Sequence, residues 1–370
     1  MKKRTATITF HASHNYGSML QAYALQRVLS RLGYDNEIIN LRTERQRKLY
    51  GRISYGQAFQ GLKPLAKVLL TLPYIKILQR KYDLFESFLA HSLKLTREYR
   101  TLEELEKAEL PYDCFISGGD QIWNTASLDF DWSFYLPFVR GGKRISYAVS
   151  MGPRAEEQVS DQRRVADYLS LYDHISVREE GTYALVKSLA RTDVEMDLDP
   201  TLLLTGEEWM SEIPGRRLAQ GDYILLYVPY YKRSVYDMAY YLSGKLGMPV
   251  IVTQFFLKAC RYPFRKHLDV GPWEFLELLR NARLVVSGSF HALVFSTLFH
   301  VPFWAVNGDK DNRMVTFLKN MSLEDRTINT SDKASKWLRS MECDFVAADQ
   351  YLEDNRRRSM LHLRQMIENR

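Results

Sequence analysis

Apolar and polar positions follow two rhythms along this chain, and the switches between them mark out its elements. Ala6-Thr7-Ile8-Thr9-Phe10 alternates with a period of two and reads as a strand. Residues 11–18 (His-Ala-Ser-His-Asn-Tyr-Gly-Ser) form a polar turn. Over residues 19–32 the spacing becomes helical, with Leu20, Ala24, Leu25, Val28, Leu29 and Leu32 on one face. Gly33 stops that helix, and residues 37–41 (Glu-Ile-Ile-Asn-Leu) give a second strand. A strand–turn–helix–strand opening implies a parallel sheet with a right-handed crossover. Ser18 is placed to cap the helix, and Gly17 lets the backbone approach a ligand closely.

Residues 42–100 are basic and mostly helical in pattern. Within them, residues 64–81 mix Leu and Ile with Lys67, Lys76, Arg80 and Lys81. This stretch reads as a surface helix pair over the sheet, with a basic amphipathic patch at a membrane surface as the alternative. Further strands are expected at residues 112–117, 143–150, 173–180 and, ending in a turn, 194–204. Pro, Gly and Arg cluster at residues 206–221, where a boundary is drawn. A second series follows: strand 223–228, helix 235–246, strand 249–253, helix 272–282, strand and corner 284–291, helix 292–299 and strand 301–306. Residues 331–370 are helical and highly charged. The expected organisation is an α/β fold with an N-terminal Rossmann-like domain over residues 1–205, a C-terminal one over 206–330 and a helical segment over 331–370. Ligands of such folds bind in the cleft at the strand ends.

Composition narrows the function classes. A length of 370 residues suits two domains, and 46% hydrophobic with 26% charged residues is ordinary for a globular protein. The net charge of +7 and pI of about 9.1 favour phosphate-bearing partners, an anionic membrane surface or nucleic acid. No RNP, zinc-finger or homeodomain pattern is present, which argues against nucleic acid. Cys114, Cys260 and Cys343 are odd in number and widely spaced, so no disulfide framework is expected. No apolar run approaches the ~20 residues that span a bilayer. The expectation is a cytoplasmic protein.

The candidate chemistry sits at strand ends. Leu284-Val285-Val286 runs into Ser287-Gly288-Ser289, and His291 follows at the start of a helix. Such a corner offers free N–H groups and a positive dipole to an anion, with an imidazole beside it for proton transfer. The alternative is a histidine that only bonds a turn carbonyl. Arg178 ends a strand and can fork onto a carboxylate or phosphate, or pair with Glu179 or Glu180. Asp120 follows Gly118-Gly119, where it can orient a sugar hydroxyl, act as a base or cap a helix. His11 and His14 lack a third ligand for a metal, so neither metal nor cofactor is expected. Dinucleotide, P-loop and Gly-x-Ser-x-Gly signatures are absent.

Five segments taken together resemble the polysaccharide pyruvyl transferase family. They are the run from Asn15-Tyr16-Gly17-Ser18 to Gln26, Gly118-Gly119-Asp120-Gln121-Ile122-Trp123-Asn124, Ile175-Ser176-Val177-Arg178-Glu179, Asp199-Pro200-Thr201-Leu202 and Ser289-Phe290-His291-Ala292. The resemblance covers nearly all of residues 5–325. It implies a GT-B-like fold and transfer of a pyruvyl group from phosphoenolpyruvate to a saccharide, as a ketal across two hydroxyls. It implies His291 as general acid/base and Arg178 as the binder of the donor's carboxylate or phosphate. Ser289 and Arg313 join Arg178 on the donor side, and Asn15, Gly17, Ser18, Gly119, Asp120 and Gln121 would hold the acceptor. Some members carry an arginine where this chain has Ser289-Phe290, so a second cation is expected from Arg313 or Lys310. The implied acceptor belongs to a cell-surface polysaccharide or its lipid-linked precursor, met by peripheral contact at the inner face of the membrane. The competing expectations are a GT-B glycosyltransferase using a nucleotide sugar and a non-catalytic saccharide-binding protein.

Overall fold

The computed structural model describes residues 2–52, 72–189, 193–339 and 341–369. Residues 64–71 of the basic stretch singled out above lie outside the described residues. The first sheet holds β1 (Arg4–Ile8), β2 (Asp35–Leu41), β3 (Leu95–Tyr99), β4 (Cys114–Gly118), β5 (Lys143–Val149), β6 (His174–Val177) and β7 (Val194–Met196). Its order is β3-β2-β1-β4-β5-β6-β7, and every pairing is parallel. The second sheet holds β8 (Ile224–Tyr227), β9 (Val250–Val252), β10 (Arg265–Lys266), β11 (Leu284–Ser287), β12 (Phe303–Val306) and β13 (Thr327–Ile328). It runs β10-β9-β8-β11-β12-β13, again parallel throughout.

Both sheets reverse their winding at the centre, between β1 and β4 in the first and between β8 and β11 in the second. At such a switch point the crossovers leave on opposite faces, and a crevice opens beyond the strands' carboxyl ends. The central strands β4, β8, β11 and β12 are buried along their whole length, as parallel strands covered on both faces must be.

The helix Tyr16–Arg31 lies where the two halves meet. One continuous apolar core takes in Leu20 and Leu25 of this helix together with Phe275, Leu276 and Leu293 of the second half. The Tyr16 and Phe275 rings stack 4.3 Å apart. All nine residues of the helix Phe290–Leu298 are buried. The last helix, Val346–Glu368, returns to the first half. There the Leu198 N–H donates to Ser359 Oγ at 3.1 Å, and Arg356 donates to the Leu202 carbonyl at 2.7 Å. Among the described residues, no helix is long and apolar enough to cross a membrane.

Candidate active site

The first polar turn is built differently from its expectation. Asn15, not Ser18, caps the helix Tyr16–Arg31, its side-chain oxygen accepting from the N–H groups of Gly17 at 2.9 Å and Ser18 at 3.4 Å. Ser18 therefore sits inside the first turn, and its hydroxyl is free to donate to Asp120 Oδ2. Gly17 packs against a side chain: a Cβ built on it would come within 2.1 Å of His291 Nδ1. Only hydrogen fits between this helix and that ring.

His291 enters from the second half, in the first turn of the helix that follows β11. Its Nε2 is buried without a hydrogen-bond partner and lies 3.7 Å from Asp199 Oδ2. Asp199, just beyond β7, is fully buried. Thr201 supplies its N–H at 2.9 Å and its hydroxyl at 2.5 Å to Asp199 Oδ1. Burial alone would raise the Asp199 pKa. The neighbouring imidazole of His291 and the charge of Arg178 outweigh that and hold the carboxyl well below its usual range. An ionised carboxylate thus stands behind the imidazole, as in the acid/base pairs of many hydrolases.

Arg178 occupies the centre of a buried charge cluster. Its Nη1 meets Asp199 Oδ2 at 2.5 Å, its Nε meets Glu179 Oε2 at 3.1 Å, and its Nη2 lies 3.9 Å from Asp120 Oδ1. The Phe290 ring covers the guanidinium, with 4.4 Å from Cζ to the ring centroid. Burial opposes the charge, but the three carboxylates more than compensate and raise the pKa further. The guanidinium is therefore already matched by anions behind the cavity wall.

Facing His291 is a cavity of about 540 Å³. Its floor is polar, with Asn15, Asp120, Gln121, Asn124 and Asp129, and Ser289, His291 and Arg313 close the opposite side. Of the residues expected to hold an acceptor, Asn15, Asp120 and Gln121 line this cavity. Gly17, Ser18 and Gly119 stand behind it as spacers and supports. Gly119 has φ of 69° and would drive a Cβ to within 1.7 Å of Gln21 Oε1. A second compartment of about 400 Å³ adjoins the first, sharing Pro153, Pro229, Tyr230, Gly288 and Arg313. Its character is cationic: Arg154, Lys232, Lys310 and Arg313 line it, against the single carboxylate of Asp311. Arg313 already forms a two-pronged pair with Asp311, at 3.0 and 2.6 Å. Neither Lys232 nor Lys310 has a carboxylate partner among the described residues.

Sequence reasoning did not single out Asp199 as the partner of His291, nor Asn124, Asp129, Tyr230 or Lys232. Asp199 was visible as a turn residue and in the Asp199-Pro200-Thr201-Leu202 segment, with no role assigned; its pairing comes from bringing the turn after β7 beside the helix that follows β11. Lys232 had a weak signal in Pro229-Tyr230-Tyr231-Lys232, a loop directly after a strand. His11 and His14 go elsewhere: His11 bonds Asn40 Oδ1 at 3.0 Å, and His14 pairs with Glu86 at 2.8 Å.

Comparison with known proteins agrees with this architecture. The profile of the polysaccharide pyruvyl transferase family matches residues 15–310. No curated protein matches the chain. Among solved structures, the UDP-GlcNAc 2-epimerase from Neisseria meningitidis bound to UDP-GlcNAc is 10% identical, with full coverage of both chains and a TM-score of 0.51. A putative UDP-N-acetylglucosamine 2-epimerase from Listeria monocytogenes is 9% identical, covering 100% of this chain and 91% of its own, with a TM-score of 0.53. A trehalose-6-phosphate synthase is 8% identical, covering 100% and 99%, with a TM-score of 0.51. At these identities the likeness concerns the fold, which is GT-B, with two parallel sheets and a returning C-terminal helix.

Proposed function

Because this chain belongs to the polysaccharide pyruvyl transferase family, and so is a transferase, we propose that it moves a pyruvyl group from phosphoenolpyruvate onto a saccharide. The observation that carries this reading is the adjacency of two unlike compartments, which share Gly288 and Arg313, with His291 on the wall of the first. A polar, partly acidic floor suits a polyhydroxylated acceptor, and a cationic annex suits a small, highly charged donor.

In this reading the donor's phosphate and carboxylate lie among Lys232, Lys310 and Arg313, beside the amino end of the helix Phe290–Leu298 at Ser289. Lys232 and Lys310 supply the charge that an arginine at Ser289 or Phe290 would have brought. Arg178 contributes its field from behind the wall and keeps Asp199 ionised. His291, steadied by Asp199 and Gly17, delivers a proton to the methylene carbon of the donor as an acceptor hydroxyl adds to the central carbon. Asn15, Asp120 and Gln121 orient the acceptor, with Ser18 and Gly119 fixing the Asp120 loop. The acceptor is a unit of a cell-surface polysaccharide or its lipid-linked precursor. A cytoplasmic protein of net charge +7 suits such a precursor at an anionic inner membrane face.

The test follows phosphate release and ketal formation with phosphoenolpyruvate and a panel of oligosaccharides. His291→Ala should lower kcat by roughly 10²–10⁴-fold. Joint replacement of Lys232 and Lys310 by Ala should raise the KM for phosphoenolpyruvate by about tenfold or more, a loss of about 1.4 kcal/mol in donor binding. The cationic annex would also accept the diphosphate of a nucleotide sugar. Release of nucleoside diphosphate from nucleotide sugars, with no phosphate from phosphoenolpyruvate, would sink the pyruvyl-transfer reading in favour of glycosyl transfer.

A further inference from the structure

We infer that Asp120 is the base that takes the proton from the attacking acceptor hydroxyl. This rests on the pyruvyl-transfer reading and names the group that reading leaves open. Forming a ketal requires two hydroxyl protons to leave, and one of those protons' equivalents to reach the methylene carbon. His291 serves the carbon. A separate acceptor on the saccharide side lets both events occur together.

Three carboxylates stand close to the cavity, and their hydrogen bonds distinguish them. Asp199 is fully buried, and its two oxygens face Thr201, Arg178 and His291. Asp129 lines the cavity, but Ser127 Oγ donates to its Oδ1 at 2.5 Å and Tyr50 Oη to its Oδ2 at 2.6 Å. Asp120 also lines the cavity, and only its Oδ2 is engaged, by Ser18. Its Oδ1 accepts no hydrogen bond among the described residues, and its nearest charged neighbour, Arg178 Nη2, is 3.9 Å away. A carboxylate with one oxygen anchored and the other open to the acceptor floor has the geometry of a general base.

The backbone holds it there at a cost. Asp120 has φ of 41°, in the left-handed region, directly after Gly119 with φ of 69°. Its carbonyl accepts from the Ser150 N–H at 2.9 Å. Such strain in a non-glycine residue persists only where the surroundings enforce it, and it collects at functional positions. Arg178 is the positioning residue: one guanidinium faces Asp120 on one side and the Asp199–His291 pair on the other. It keeps base and acid at fixed separation on opposite walls.

Asp120 Oδ1 takes the hydroxyl proton while the oxygen bonds the donor's central carbon, and the double-bond electrons take a proton from His291. The carbon–oxygen bond to phosphate then breaks, and the departing phosphate takes the proton held on Asp120. The second hydroxyl adds to the same carbon and gives its proton to the ionised Asp120, from which it returns through water to recharge His291. Of the two hydroxyl protons, one equivalent ends in the new methyl group and the other leaves on phosphate. No oxidant or reductant is needed.

The experiment compares the full-length wild type with Asp120→Asn and Asp120→Glu, using a saccharide that the wild type pyruvylates. Asn tolerates the left-handed backbone, so Asp120→Asn should fold, and a thermal melt within a few degrees of wild type checks this. The expected result is a 10²–10⁴-fold fall in kcat for Asp120→Asn, with acceptor KM within about threefold. Asp120→Glu should restore part of kcat. A raised acceptor KM with unchanged kcat would make Asp120 a binding residue only and overturn the proposal. If the wild type releases no phosphate from phosphoenolpyruvate with any saccharide, the underlying reading fails and takes this proposal with it.

Discussion

At the scale of single residues, Gly17 shows how a motif can be visible while its reason is not. Glycine before a helix suggests room for a ligand, yet here the room is filled by the imidazole of His291, which a Cβ would meet at 2.1 Å. Gly17 lies in the helix Tyr16–Arg31, where Ala is the better helix former by about 1 kcal/mol. Gly17→Ala should nonetheless lower the thermal midpoint, since the added Cβ would also meet His291 Cβ at 2.7 Å, so turning the ring does not clear it and the added helix propensity offsets only part of the strain. It should lower kcat by about 10²-fold, because displacing a proton-transfer group by about 1 Å costs that much. A variant with unchanged turnover would show that His291 needs no such placement. His291, Arg178 and Asp120 were legible as polar residues at the ends of apolar strands. The contacts between them were not, because Arg178 and Asp199 are joined only when β6 and β7 lie side by side.

At the scale of elements, the fully buried strands were the readable ones. β4, β8, β11 and β12 announce themselves as short apolar runs bounded by turn residues. β3, β10 and β13 went unseen for a common physical reason: they are edge strands, and β10 and β13 have only two residues each. β3, Leu95–Tyr99, carries Arg97 and Glu98 and buries only its last residue, so no alternation marks it within a basic, otherwise helical stretch. The helix Val346–Glu368 was legible as a helix, but its docking was not. It is pinned to the first half partly by His362, whose Nδ1 lies 2.6 Å from Asp197 Oδ2. Burial would lower the His362 pKa, but the hydrogen bond and charge of Asp197 prevail and raise it above 6.5. A raised folded-state value means the contribution is complete below pH ~6.5 and disappears as pH rises through the folded-state pKa. His362→Gln should thus cost about 1 kcal/mol near pH 5.5 and nearly nothing of this electrostatic contribution in mildly alkaline buffer. Denaturant melts of both proteins across that range check it, and a gap that widens with pH would refute the assignment.

At the scale of the whole molecule, the two halves are joined by a continuous core rather than by a loose linker, and the helix Ile75–Ser92 adds a polar strap across the junction. From this helix Arg80 reaches Asp269 at 3.6 Å, Lys81 donates to the Thr253 carbonyl at 2.8 Å, and Ser92 accepts from Trp273 at 3.3 Å. Lys81 is the costly member. Its ammonium lies 5.0 Å from the centre of the Tyr16 ring, with no carboxylate partner among the described residues, and burial pushes its pKa from the ordinary 10.5 down to about 7. Between pH 7 and 10.5 the unfolded chain holds this proton and the folded chain has lost it, so this group makes stability rise with pH across that window. Below pH 7 both states carry the proton, and the full penalty of a poorly solvated charge is felt. Lys81→Met removes the titration while keeping most of the aliphatic packing. Wild-type stability should then gain about 1–3 kcal/mol on Lys81→Met between pH 7 and 10, discounted from the full shift because the side chain is only partly covered. Whichever protein is the more stable at pH 7, parallel stability curves would mean that the ammonium keeps its ordinary pKa. The junction would then not hold a strained charge, and the two halves would owe their fixed relation to the Tyr16–Phe275 core alone.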